Sequence, residues 1–344
     1  MRVANSRIVI AILLLAVSVT FAAPAVNLPF GDWVRAADQA VLSPRGTTWE
    51  SAGVFNPAVV FAFHKSIMLY RAQDSSGTSR IGYAESTDGI HFTRRDQPVL
   101  LPEARYEQNG GVEDPRLQKI SGTFYLTYTG YNKKDAQLCL AKSRDLLHWE
   151  RKGVILPAYQ GNWNVGWTKS GAIVPETIDG KYWMYWLGTS ADKTDQMGLS
   201  FSGDLIHWTE ATETPVLPKR PGKFDSRVVE PGPPPIITTE GIVLIYNGAD
   251  DNLVYRTGVA IFDAHNPRHL LYRSEEPIFG PEKEWEKVGQ VPNVVFVEGL
   301  VKQNKRFLFY YGAADKYIGV AEAPARIFKA ERGNAARATS LFWR

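Results

Sequence analysis

Cysteine is nearly absent. Cys139 is the only one in a chain of 344 residues. A lone cysteine excludes an internal disulfide and a cysteine-rich zinc site. It lies in the apolar run Leu138-Cys139-Leu140-Ala141, which makes it a small buried hydrophobe. An excess of one charge is lacking as well: 39 Lys and Arg face 36 Asp and Glu, for a formal net charge of +3. That balance argues against nucleic acid or an acidic membrane surface as a partner. No apolar run beyond the N-terminus is long enough to span a bilayer. Helical periodicity is sparse, while short alternating runs bounded by Gly, Asp and Asn are common, so the fold class expected is all-β.

What the chain does have begins with a leader. Arg2 and Arg7 precede the apolar stretch from Ile8 to Val19, and Thr20-Phe21-Ala22 supplies a small-x-small cleavage site. Residues 1–23 are therefore expected to be a signal peptide and the protein to be secreted or periplasmic. An uncleaved anchor is the alternative. The tail, 326–344, is basic. Between them no linker marks a second domain, so 24–325 is expected to be one catalytic domain. Aromatic residues make up 12% of the chain, with ten Trp and fifteen Tyr, a supply that suits both sheets and sugar-binding clefts.

The middle of the chain repeats. Gly82 to Phe92, Leu140 to Trp149 and Leu199 to Trp208 each read as a strand, a polar turn with Ser and Asp, then His and an aromatic. Asp88, Asp145 and Asp204 are 57 and 59 residues apart. Aromatic-rich strands precede these turns, and Tyr70, Tyr128, Trp186, Tyr246 and Tyr311 recur every 58 to 65 residues. Five copies of a several-strand unit predict a five-bladed β-propeller, its last blade completed by chain that precedes Asn56. His91, His148 and His207 resemble metal ligands at first sight. Equivalent positions of different blades point to different sectors, so these residues are assigned to turn structure and no metal is expected.

A second set of polar groups falls at the expected inner ends of the blades: Asn56, Arg71, Glu113-Asp114-Pro115-Arg116, Lys169, Glu230, Asn247 and Asp315. In Gly110-Gly111-Val112-Glu113-Asp114-Pro115-Arg116 the glycines permit a tight turn or a close approach to a ligand. Pro115 biases Asp114 towards an extended backbone. Carboxylates, cations and aromatics converging on one cavity are the chemistry of glycoside cleavage.

The motifs Asn56-Pro57-Ala58, Tyr70-Arg71-Ala72, Ser79-Arg80-Ile81-Gly82-Tyr83-Ala84, Glu113-Asp114-Pro115-Arg116, Gly232-Pro233-Pro234-Pro235, Val291-Pro292-Asn293-Val294-Val295-Phe296 and Tyr310-Tyr311-Gly312-Ala313-Ala314-Asp315 resemble, in order, those of glycoside hydrolase family 130. That family holds β-mannoside phosphorylases and β-1,2-mannosidases on a five-bladed propeller. The resemblance implies inversion with Asp114 as general acid, and Asn56, Arg71 and Asp315 around the mannosyl ring. It implies no cofactor and an oligosaccharide or glycan as the partner.

The second reactant is either phosphate or water. The family's phosphate-binding Tyr-His-Gly stands here as Tyr246-Asn247-Gly248, and the strand Met184-Tyr185-Trp186-Leu187 lacks an Arg often found there. Arg116 and Lys169 remain. Each lost charge-assisted hydrogen bond weakens an anion site by roughly 1.5–3 kcal/mol. The expectation is therefore an inverting hydrolase of β-linked mannosides, with Glu230 activating water and Glu298 as the second candidate base. Asp114 is expected to have a raised pKa, and Arg116 to face substrate or another carboxylate. The alternatives are an inverting phosphorylase that releases mannose 1-phosphate and a sugar-binding propeller without catalysis.

Overall fold

The computed structural model describes residues 26–326; the expected signal peptide and nearly all of the basic tail lie outside the described residues. The fold is almost wholly β. Helix is confined to single turns at Arg105–Glu107 and Glu284–Lys287 among the described residues.

Five antiparallel units follow one another. The first is Gly53–Ala62, Lys65–Gln73, Ser79–Ser86 and Thr93–Arg94. The second is Gly111–Ile120, Thr123–Tyr131, Ala136–Ser143 and Glu150–Leu156. The third is Asn164–Ile173, Tyr182–Ser190, Asp195–Ser202 and Trp208–Glu210. In the fourth, Val228–Pro231 and Ile236–Thr238 both pair with Gly241–Ala249, followed by Tyr255–Phe262 and Leu270–Arg273. The fifth is Val295–Gln303, Arg306–Ala313 and Tyr317–Pro324, and its outer strand is Val34–Arg35 from the start of the chain.

Successive units meet in one way: the third strand of a unit touches the first strand of the next. Ser79 lies beside Gly111, Asp195 beside Val228 and Tyr255 beside Val294, each in parallel. Leu138 N–H donates to Thr168 Oγ1 at 3.1 Å. The last unit meets the first through Val54 N–H, which donates to Lys316 O at 3.2 Å. Gly111 makes its junction possible, since a Cβ there would sit 2.1 Å from Ser79 O. Its φ of +114° is also one that L side chains rarely adopt. The close approach of Gly111 is thus to backbone, not to a ligand, and a turn over 108–110 leads into the strand that begins there.

The repeated aromatics are the second strands' core anchors. Tyr70, Tyr128, Trp186, Tyr246 and Tyr311 are all fully buried. Each lies across from a small residue: Gly82, Cys139, Gly198, Gly258 and Gly319. Cys139 therefore fills a position that glycine holds elsewhere. It is fully buried, and burial pushes its thiol far up.

Four of the five aromatics carry a hydroxyl, and each donates it to a buried carboxylate that also meets an arginine. Tyr70 bonds Glu50 at 3.0 Å, Tyr128 Glu107 at 2.8 Å, Tyr246 Asp225 at 2.8 Å and Tyr311 Glu286 at 2.8 Å. The arginines are Arg94, Arg151, Arg273 and Arg35. The third unit has Trp186 instead, and Trp163 stacks on it at 5.3 Å.

The Ser-Asp-His repeats close exposed turns. Asp88, Asp145 and Asp204 accept two backbone N–H bonds each and hold His91, His148 and His207 at 2.7 Å. Those histidines point to solvent on separate units, as their structural assignment requires.

Candidate active site

The first strands of four units carry a β-bulge, and each bulge falls on a polar residue. The register shifts between Phe55 and Pro57, between Glu113 and Arg116, between Lys169 and Ala172, and between Val297 and Gly299. The residues enclosed are Asn56, Asp114 with Pro115, Ser170 with Gly171, and Glu298. Bulges re-aim side chains and gather beside functional sites. Asn56, Asp114 and Ser170 also take left-handed φ values of 50°, 49° and 60°. Such a backbone in non-glycine residues is strained and persists only where its surroundings fix it. Pro115 was expected to bias Asp114 to an extended backbone; the bulge overrides that preference, and it does the same at Asn56 before Pro57.

These bulges bring the expected residues together. Asn56 Nδ2 donates to Asp114 Oδ1 at 2.7 Å. Arg71 spans two adjacent carboxylates, donating from Nη1 to Asp114 at 2.9 Å and from Nη2 to Glu113 at 2.6 Å. The ring of Phe55 lies 4.7 Å beneath that guanidinium. Lys169 Nζ stands 3.6 Å from Asp114 Oδ2. Asp114 is 3% exposed, whereas the Lys169 and Arg71 side chains keep 23% and 15% and line the way in.

Arg116 is buried beneath. It donates to the carbonyls of Asp114, Pro231 and Gly232 at 3.1, 2.7 and 3.2 Å. Its Nη1 is 2.9 Å from Glu298 Oε1 and its Nη2 is 3.7 Å from Glu230 Oε1. It faces other carboxylates, as expected. Glu230 accepts a short hydrogen bond from Ser170 Oγ. Asp315 follows Ala314, both at left-handed φ, and belongs to the same charge cluster, with Arg71, Asp114, Lys169 and Glu113 acting on it.

The electrostatics separate the carboxyls. Burial raises Asp114, but Arg71, Lys169 and Arg116 outweigh it and hold the group well below the usual carboxylate range. The expected upward shift is thus reversed: three cations act on one carboxylate. Burial prevails elsewhere. It raises Glu113 and Glu230 despite Arg71 and Lys169 respectively, and lifts Glu298 far up against Arg116. Asp315 is raised to about 6 by burial, against the pull of Arg71. The strained spread of pKa values over one cluster is the pattern of a reactive site.

Asn247 departs from expectation. It is fully buried, its Nδ2 donates to Val297 O at 3.0 Å, and its Oδ1 accepts Val297 N–H at 2.8 Å. Both amide atoms tie the fourth unit to the fifth, a structural contact that the sequence did not suggest. Three contributors were missed as site residues. Ser170 holds Glu230. Ser79 Oγ donates to Glu113 and accepts from Arg71 Nε, both at 3.0 Å. Phe55 supports Arg71. Ser170 adjoins the expected Lys169 in Lys169-Ser170-Gly171, and Ser79 opens Ser79-Arg80-Ile81-Gly82-Tyr83-Ala84, one of the motifs that carry the family resemblance.

The family model described as beta-1,4-mannooligosaccharide phosphorylase matches residues 33–330. A 1,2-beta-oligomannan phosphorylase of Thermoanaerobacter sp. (strain X514) is 40% identical over 298 residues, covering 83% of this chain and 95% of the relative. A beta-1,2-mannobiose phosphorylase of the same organism is 36% identical over 304 residues, covering 83% and 95%. Among solved structures, one reported for GH130 glycoside hydrolases that target beta-1,2 mannosidic linkages in Candida mannan superposes with a TM-score of 0.78. It is 36% identical and covers 88% of this chain and 96% of that one.

Proposed function

The chain belongs to glycoside hydrolase family 130, and from that premise we propose that it cleaves β-linked mannosides with inversion, using water. The observation that carries the choice of water is the charge balance of the site. Glu113, Asp114, Glu230, Glu298 and Asp315 gather about Arg71, Arg116 and Lys169, and each of those cations already lies within 4 Å of a carboxylate. A phosphate dianion entering there finds each cation already engaged, and it would have to displace a carboxylate to gain a charge-assisted hydrogen bond.

In this reading Arg71, Asn56 and Asp315 hold the mannosyl ring. A water attacks the anomeric carbon, Glu230 takes its proton, and the bond to the leaving oxygen breaks as Asp114 delivers a proton to it, directly or through a sugar hydroxyl. Glu230 suits the base: burial raises it while Ser170 fixes its orientation. Arg71, Lys169 and Arg116 hold Asp114 ionised in the free site, so in this reading it takes a proton from solvent as substrate binds and passes that proton to the leaving oxygen. The five units are read as blades of a propeller around this site, formed by 24–325, and the leader supports export to the periplasm or the outside.

Phosphorolysis is the second reading. The curated relatives are named phosphorylases, and on that ground the comparisons back it better than they back hydrolysis. Proton NMR of the first-formed anomer from β-1,2- and β-1,4-mannobiose, with and without phosphate, decides. Hydrolysis predicts α-mannose at a rate indifferent to phosphate. A phosphate requirement with release of α-mannose 1-phosphate overturns it.

A further inference from the structure

The first strand of the third unit continues outward from Lys169, and one face of it is open. Val165 and Trp167 are exposed, Gly166 and Lys169 are half-buried, and Asn164, Thr168 and Ser170 are buried, with the pairing irregular between Asn164 and Thr168. Side chains two apart on a strand share a face. Trp167 thus stands roughly 7 Å, two strand residues, beyond the lysine that touches Asp114. Tyr131 comes to the same place from the second unit. It pairs with Gly111, two residues beyond the Glu113–Thr129 pair, and its ring packs edge-on against Trp167 at 5.8 Å.

Hydrogen bonds tie Trp167 and the neighbouring Tyr159 to the protein. Trp167 Nε1–H donates to Lys134 O at 3.2 Å, Tyr159 N–H donates to Gly166 O at 2.7 Å and Tyr159 Oη–H to Asp135 at 2.6 Å. The one polar atom of the indole is therefore bonded inside the protein, and what it presents outward is ring. Trp163, four residues earlier, does the reverse: it packs on Trp186 and closes the core of the third unit. A fixed, exposed aromatic face with polar neighbours at its edge (Lys133, Lys134 and Asp135) fits the apolar C–H face of a pyranose whose hydroxyls reach the rim.

We propose that Trp167, backed by Tyr131, is a stacking subsite for a sugar unit beyond the two that flank the cleaved bond, which makes the substrate an oligosaccharide rather than a disaccharide. This rests on the mannoside reading above. The test compares kcat/KM for β-mannotetraose and β-mannobiose in the wild type, Trp167→Ala and Trp167→Phe, with Trp163→Ala as the control for packing. The tetraose-to-biose ratio should fall about fivefold or more in Trp167→Ala, in keeping with the loss of one aromatic contact. It should recover largely in Trp167→Phe, while Trp163→Ala should lower the Tm without moving the ratio. An unchanged ratio in a folded Trp167→Ala overturns the subsite. If no β-mannoside is cleaved, the functional reading fails instead. The subsite is then judged by calorimetric titration of the wild type and Trp167→Ala with β-mannotetraose and cellotetraose: binding that weakens in the variant supports it, and identical or absent binding overturns it.

Discussion

Asn56 and Asp114 hold the same bulge in successive units, with φ of 50° and 49°, and meet through a 2.7 Å hydrogen bond from the amide to the carboxylate. A repeat position has diverged into an acid and its partner. The amide matters because it favours the charged form of Asp114 while adding no charge.

Replacing that amide by a carboxylate should be felt as a proton shift. Asn56→Asp sets two carboxyls at hydrogen-bond distance, and such a pair retains a proton to higher pH than either group alone. The limb of the kcat/KM profile governed by Asp114 should move up by about one unit or more. A profile identical to the wild type, in a variant with unchanged Tm, removes Asn56 from control of Asp114.

Asp114→Asn should lower turnover of an unactivated β-mannoside by about a thousandfold, within the usual range for a proton-transfer group. A substrate with a good leaving group, such as an aryl β-mannoside, needs less protonation and should lose less. Equal losses on both substrates, or no loss on either, contradict the assignment of Asp114 to the leaving oxygen.

The sequence carried the period of this fold in its aromatics, and with it the positions of Asn56, Arg71, Asp114, Lys169, Glu230 and Asp315. Asn56, Arg71 and Lys169 meet about Asp114, and Glu230 lies 3.7 Å from Arg116. The bulges were not legible, because a register shift depends on the partner strand as well as on the strand that bears it. The direction of the Asp114 shift was misread for a related reason: one neighbouring arginine was visible in Glu113-Asp114-Pro115-Arg116, whereas Arg71 and Lys169 act from other strands. Asn247 occupied the right place in its motif, yet its amide bonds Val297, which is fifty residues on. The carboxylate partners of the repeated tyrosines were equally hidden. Glu50, Glu107, Asp225 and Glu286 keep no constant offset from Tyr70, Tyr128, Tyr246 and Tyr311.

Asp315 opposes stability for the sake of the site. Burial lifts it to about 6, against about 3.9 in an unfolded chain. Between those values the native state holds the extra proton, so its contribution to stability is complete below pH 4 and is lost as the pH rises through 6. Asp315→Asn should abolish this slope. The variant should gain about 2 kcal/mol over the wild type at pH 8, allowing for partial exposure, and nothing at pH 3.5. Urea unfolding at the two pH values measures it. A gain that is equal at both, or larger in acid, contradicts the shift. Activity should fall in the same variant, since the amide cannot supply the negative charge on which Arg71 acts.

The tyrosine–carboxylate pairs should prove to be the joints of the body that holds this site. Glu107 is fully buried and accepts Tyr128 Oη–H at 2.8 Å and the backbone N–H groups of Glu103 and Ala104 at 2.8 and 3.0 Å, with Arg151 Nε 3.5 Å away. Tyr128→Phe removes one bond and leaves the carboxylate its other partners, so the loss should be about 1–2 kcal/mol. Glu107→Ala leaves two N–H groups, a hydroxyl and a guanidinium without their acceptor, and should cost about 3–5 kcal/mol. The double variant should lose less than the sum of the two, because Tyr128 no longer has a hydroxyl to strand. Chemical unfolding of the three proteins forms the cycle. Strict additivity would mean that hydroxyl and carboxylate act independently, and the repeated contact would then be a by-product of packing rather than a fastening.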